Sequence, residues 1–333
     1  MQNTSGGLFW LLIAGMMNAS FAVPMKFTRD WVWENTWLVW SVFALLGLPL
    51  VLAFGMVPEY GAILSAAPST VLLVVLCGAA WGVAQVLFGL ALARIGMALT
   101  FSIVLGLSAA MGSLIPLVRF HSNEILTRPG MISLAGIALV LIGVAVCALA
   151  GKMRDRDRTM DEPSSGFGSG LLMALASGVC ASMMNVGFAY GTPLSDAASA
   201  RGTNPLWVSD AIWAPLLIGG VLPNVLYCLY LLRKNGTGMQ FHLKSGRNTL
   251  LAFVMAVLWF GSSILYGVST AFLGSLGKVV GWPLFMSLIV ILAGILGILT
   301  GEWKGTDPRA LRTQGLATII LIGAVIVLSR ATL

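Results

Sequence analysis

Apolar segments long enough to cross a lipid bilayer recur along this chain, at about residues 6 to 25, 36 to 55, 70 to 93, 97 to 118, 131 to 150, 168 to 190, 206 to 232, 248 to 272, 279 to 300 and 313 to 330. A hydrocarbon core of about 30 Å needs roughly 20 apolar helical residues per crossing. The pattern therefore predicts ten transmembrane helices. Of the 333 residues, 58% are hydrophobic and only 9% charged, too little polar surface to cover a water-soluble globule of that size. A membrane β-barrel would show segments of about 10 alternating residues. Val71-Leu72-Leu73-Val74-Val75-Leu76 is apolar at every position instead. The expected class is an all-α integral membrane protein whose surroundings are the lipid bilayer.

The net charge of +7 suggests no nucleic-acid partner once the positive residues are placed on loops. Loops after odd-numbered helices hold 14 of the 19: Lys26, Arg29, Arg94, Lys152, Arg154, Arg156, Arg158, Arg233, Lys234, Lys244, Arg247, Lys304, Arg309 and Arg312. The other side holds Arg119, Arg128, Arg201, Lys278 and Arg330. Cytoplasmic loops carry the excess of Lys and Arg, so both termini are expected on the periplasmic side. Met1 to Ser5 contain no Lys or Arg, which lacks the charged front of a secretory signal; the first helix is read as retained. Cys77, Cys147, Cys180 and Cys228 all fall in predicted helices and read as small packing residues.

The chain divides between its fifth and sixth helices. Lys152-Met153-Arg154-Asp155-Arg156-Asp157-Arg158 and Asp161-Glu162-Pro163-Ser164-Ser165-Gly166 read as a solvated cytoplasmic linker over residues 151–167. It separates five-helix repeats at residues 1–150 and 168–333. Trp81-x6-Phe88-Gly89 recurs as Trp259-x6-Tyr266-Gly267, 178 residues later, and Leu141-Ile142-Gly143 recurs as Leu321-Ile322-Gly323. Tryptophan is rare enough to make the first match informative; the second is cheap in apolar helices. Five helices is an odd number, so the second copy enters the membrane from the opposite side, giving inverted-topology repeats. Such repeats commonly enclose a substrate site near the midplane.

Polar and aromatic residues inside the spans mark where that site would be. Residues at i, i+4, i+7 and i+8 share a helical face, which puts Trp81, Gln85, Phe88 and Gly89 in one stripe. The eighth helix matches it with Trp259, Ser262 or Ser263, Tyr266 and Gly267. An aromatic plate beside amides and hydroxyls suits a polyol: rings cover C–H faces while polar groups bond hydroxyls. The same stripe would also serve helix packing, with glycine allowing close approach. Asn18 and Asn185 lie in corresponding helices and read either as site residues or as interhelical glue. Asp210 is the only carboxylate inside the predicted spans, roughly one turn from the outer face. It reads as a proton carrier or as a charge near a helix N-terminus. Lys278 opens the ninth helix and is a second proton-coupling candidate, with snorkelling to the interface as the other reading. Gly281-Trp282-Pro283 would break that helix and present Trp282 as a stacking surface. Trp31, Trp33 and Trp37 are explained by interfacial anchoring.

The chemistry of catalysis is thinly represented. There is no Gly-x4-Gly-Lys phosphate loop, the two histidines His121 and His242 fall in loops, and no cluster has metal-ligand spacing. No metal, no cofactor and no enzymatic activity are expected.

Several motifs carry a family resemblance over nearly the whole length: Phe9-Trp10, Pro24-x-Lys26, Trp31-x-Trp33-Glu34-x-x-Trp37, Trp81-Gly82, Gly89-Leu90, Gly96-Met97, Asn185, Pro205-Leu206, Asn224, Trp259, Tyr266, Trp282 and Glu302-Trp303. With these residues the chain resembles the L-rhamnose-proton symporter family, within the drug/metabolite transporter superfamily. The resemblance implies a bacterial inner-membrane sugar carrier driven by the proton gradient. It also implies an amide where this chain has Ser262, an Asn where it has Gln85, and acidic and aromatic residues where it has Lys278-Val279-Val280-Gly281.

The expected function is a secondary carrier for a monosaccharide, rhamnose or a related sugar, working by alternating access with proton symport. Helices one, three, six, eight and nine would line its cavity. Trp81, Phe88, Trp259, Tyr266 and Trp282 would stack on the sugar; Asn18, Gln85, Asn185 and Ser262 would bond it. An exporter or exchanger of another small metabolite and a non-translocating membrane sensor are the alternatives.

Overall fold

A computed structural model of the protein describes residues 3–95, 97–156, 167–274, 277–299, 301 and 303–332. Gly96, Glu302 and residues 157–166 of the expected linker lie outside them. Among the described residues ten helices are long and apolar enough to span a membrane, and there are no strands. We label them α1 Thr4–Ser20, α2 Trp33–Met56, α3 Pro68–Ile95, α4 Met97–Phe120, α5 Arg128–Arg156, α6 Phe167–Tyr190, α7 Asp210–Asn235, α8 Ser245–Phe272, α9 Gly277–Leu299 and α10 Pro308–Ser329. All ten expected spans are present. In hydrocarbon no water satisfies a free backbone group, so a span must bond its backbone internally, which a helix does within one segment.

Several features of the helices differ from expectation. The seventh helix starts at Asp210 instead of 206, so the carboxylate sits on its first residue and is fully buried. The second helix starts at Trp33, which brings Glu34 inside a span as well. Glu34 accepts from Asn235 Nδ2 at 2.8 Å and Thr237 Oγ1 at 2.9 Å, tying the start of α2 to the end of α7. The ninth helix is not broken at Gly281-Trp282-Pro283; it runs through Pro283. Two short helices, Tyr60–Ala66 and Thr192–Ala200, lie between the predicted spans.

Helix partners repeat in a regular way. α1 packs against α8 and α9, and α6 packs against α3 and α4; α5 pairs with α10, α4 with α9, and α2 with α7. Exchanging each helix with the one five places away leaves this set of pairs unchanged. The α3–α7 crossing is a close backbone approach, because both helices present glycine there. A Cβ on Gly78 would fall on the Leu216 carbonyl oxygen, one on Gly219 on that of Val75, and one on Gly82 would lie 2.8 Å from Gly220 O. Small residues of this kind let membrane helices gain dispersion contact where lipid removes the hydrophobic drive. In α2 the backbone takes a π turn over Val42–Gly47 just before Pro49, whose missing N–H removes the ordinary helical bond.

Candidate functional site

The helix pairs enclose a cavity of about 640 Å³, within the roughly 300–1,000 Å³ typical of small-molecule sites. Its walls come from Asn18 of α1, Trp37 and Trp40 of α2, Trp81, Gln85 and Phe88 of α3, Ser108 of α4, Ser177 and Met184 of α6, Trp213 of α7, Trp259, Ser263 and Tyr266 of α8, Trp282 and Phe285 of α9, and Gln314 of α10. At one end it reaches Gly151, Arg154 and Trp303. Arg154 lies over the Trp303 ring at 5.2 Å.

The two tryptophans of the repeated motif meet here. Trp81 and Trp259 stack with ring centroids 5.5 Å apart and planes 27° from parallel. Trp40 packs edge-on to Trp259 at 5.4 Å and Trp37 lies 4.4 Å from Trp40. The tryptophans of the first loop are thus not simply interfacial anchors. Trp33 is largely exposed, but Trp37 is held by a bond from its Nε1 to Asn224 Oδ1 at 3.1 Å and faces the cavity. Their spacing as Trp33, Trp37 and Trp40 is that of one helical face, the signal that would have drawn Trp37 and Trp40 into the site.

The expected polar residues divide into two groups. Asn18 and Gln85 line the cavity. Ser262 stands behind Asn18, accepting from Asn18 Nδ2 at 2.9 Å and donating to Trp259 O at 2.6 Å, while its neighbour Ser263 lines the cavity. Asn185 is fully buried outside the lining. Its Nδ2 donates to Gly112 O at 2.7 Å and Lys278 O at 2.9 Å, and its Oδ1 accepts from the Tyr266 hydroxyl at 2.6 Å. One amide therefore joins α4, α6, α8 and α9. Trp282 is fixed by a bond from Nε1 to Ser108 O at 3.0 Å, with its indole seated on Gly112.

These bonds hold a septum of aromatic rings. Phe188 stacks on Trp213 at 4.5 Å and lies 5.5 Å from Tyr266; Tyr266 in turn lies 5.2 Å from Phe285 and 5.7 Å from Trp282. Beyond it lies a second cavity of about 890 Å³. That vestibule is lined by Phe188, Thr192, Asp196, Ser209, Lys278, Arg119 and His121 among others. Lys278 donates to Thr192 Oγ1 at 2.6 Å and sits over the Phe188 ring at 5.2 Å. Its ammonium therefore faces the vestibule side of the septum. Asp210 lines neither cavity, and among the described residues neither of its oxygens has a hydrogen-bond partner. Among the described residues no three His, Cys, Asp or Glu side chains come together.

Two chambers divided by a thin aromatic wall is a geometry for passage of a small molecule. Comparison with known proteins agrees in kind. The L-rhamnose-proton symporter of Cronobacter sakazakii is 29% identical over 337 residues, covering 98% of this chain and 98% of that protein. That of Citrobacter koseri is 28% identical over 325 residues, covering 95% and 94%; that of Mannheimia succiniciproducens is 26% identical over the same length. The family described as L-rhamnose-proton symport protein (RhaT) matches residues 1–332, and the chain belongs to that family.

Proposed function

We propose that this protein is a secondary carrier, not an enzyme, which moves L-rhamnose or a related sugar across the bacterial inner membrane in symport with protons. The observation that carries the reading is the tryptophan-walled cavity closed at one end by the aromatic septum. The stacked Trp81 and Trp259, with Trp282 and Phe88, cover the C–H faces and methyl of a deoxyhexose, and Asn18, Gln85 and Ser263 bond its hydroxyls. Asn185 and Ser262 act one layer back, holding Tyr266 and Asn18 in place.

In this reading residues 1–150 and 168–333 are inverted repeats joined by a cytoplasmic linker, with both termini periplasmic. The exchange-invariant helix pairs support the repeats, and the distribution of Lys and Arg supports the orientation. The Arg154 and Trp303 end of the central cavity is then cytoplasmic, and the septum closes the periplasmic side. Rocking of one repeat against the other would open the septum and seal the opposite end. Asp210 and Lys278 are the proton-coupling candidates.

Purified protein in proteoliposomes tests the proposal. Labelled L-rhamnose is expected to exchange by counterflow and to accumulate when the outside is acid. Exchange without response to the pH gradient would remove proton coupling; no exchange of any monosaccharide would remove the sugar.

A further inference from the structure

Among the described residues, four buried polar groups without hydrogen-bond partners gather where α7 begins. They are the Tyr60 hydroxyl, the Ser209 hydroxyl, both oxygens of Asp210 and Trp213 Nε1. A cluster of this kind is unusual, since buried polar groups are nearly always bonded. Asp210 and Trp213 are one turn apart on α7, and Ser209 shares that face. A Cβ on Gly267 would fall on the Ser209 hydroxyl and lie 3.4 Å from Trp213 Nε1, so both groups sit against this one glycine. Tyr60 joins from the short helix Tyr60–Ala66. Burial pushes the Tyr60 phenol well above its usual range, and an ionised Asp210 nearby would push it further, so it remains an O–H donor.

The cluster spans the septum. Ser209 lines the outer vestibule, and Trp213 lines the central cavity while stacking on Phe188. Other titratable groups nearby are engaged elsewhere or bonded to something other than Asp210. Tyr266 bonds Asn185, Lys278 bonds Thr192, and Glu59 pairs with Arg201 at 3.3 Å. Asp196, Arg119 and His121 line the vestibule, and Cys77 of α3 is buried. A fully buried carboxylate without a protein partner costs far more ionised than neutral.

The geometry points to Asp210, grouped with Ser209 and Tyr60, as a proton-binding site separate from the sugar cavity, coupled to the septum through Trp213. This rests on the symport reading above. With the septum open to the vestibule, a carboxylate oxygen of Asp210 takes a proton from a hydronium ion there, forming the O–H bond and releasing water. The neutral acid tolerates the closed, buried arrangement seen here. The proton leaves past Trp213 to water in the central cavity, and the ionised side chain then resists closure until it is protonated again. No contact between the proton and the sugar is needed.

Reconstituted full-length protein with labelled L-rhamnose separates the possibilities. Wild type is expected to accumulate the sugar under an inward proton gradient; if it does not, the symport reading itself fails. Asp210→Asn is expected to lose gradient-driven accumulation while counterflow stays within about twofold of wild type, because exchange needs no net proton movement. Accumulation by Asp210→Asn equal to wild type overturns the site, and so does loss of counterflow together with L-rhamnose-induced thermal stabilisation. Tyr60→Phe and Ser209→Ala remove donors that would favour the ionised carboxylate, and are expected to shift half-maximal uptake to higher pH. Unchanged pH profiles in both would also overturn it.

Discussion

Gly89 and Gly267 hold the same place in the repeated Trp-x6-aromatic-Gly motif, yet their surroundings differ. Nothing approaches a Cβ at position 89, while one at 267 would collide with Ser209. Gly267→Ala is therefore expected to lower stability by about 1–3 kcal/mol through overpacking, and Gly89→Ala to leave it near wild type, as read by thermal unfolding in detergent. Equal effects would mean that the α7–α8 contact is looser than described. Tyr266→Phe removes the hydroxyl that Asn185 accepts from. It is expected to cost about 1–3 kcal/mol, because the buried amide oxygen loses its donor, with uptake falling alongside. The repeat was legible in the sequence at this scale, and its rings do line the cavity. Which serine faces inward was not legible: Ser262 and Ser263 differ by about 100° around the helix, and only tertiary neighbours decide.

Among whole helices, the α3–α7 crossing leaves no room for side chains at its glycines. Gly219 lets α7 approach the Val75 carbonyl, so Gly219→Leu is expected to abolish recovery of monodisperse protein, whereas Gly55→Leu, where a Cβ meets nothing, should be tolerated. Size-exclusion profiles of the two variants provide the comparison. Helix existence was legible because apolar length alone specifies it in a bilayer. Helix partners were not, since apolar helices offer similar faces all round. The short Tyr60–Ala66 and Thr192–Ala200 helices escaped because each is too brief to cross the membrane and mixes polar with apolar residues. Trp37 and Trp40 escaped for a related reason: tryptophans near a span end match interfacial anchoring as well as they match a cavity wall.

For the molecule as a whole, the sequence motifs pointed to a carrier, while the structure adds a cavity, a vestibule and the wall between them. The wall joins residues from α6, α7, α8 and α9, far apart in the chain, which is why no single motif revealed it. In the proposed mechanism, sugar held against Trp81 and Trp259 moves together with protons. Replacing both by alanine removes the stacking surface, and should weaken L-rhamnose binding by about tenfold or more. The most direct test is proton movement itself, read by a pH-sensitive dye trapped in proteoliposomes without an imposed gradient. Adding external L-rhamnose should acidify the lumen with wild-type protein and not with the Trp81→Ala, Trp259→Ala double variant. Wild-type vesicles that take up L-rhamnose with no acidification, or a double variant that acidifies as wild type does, would contradict it.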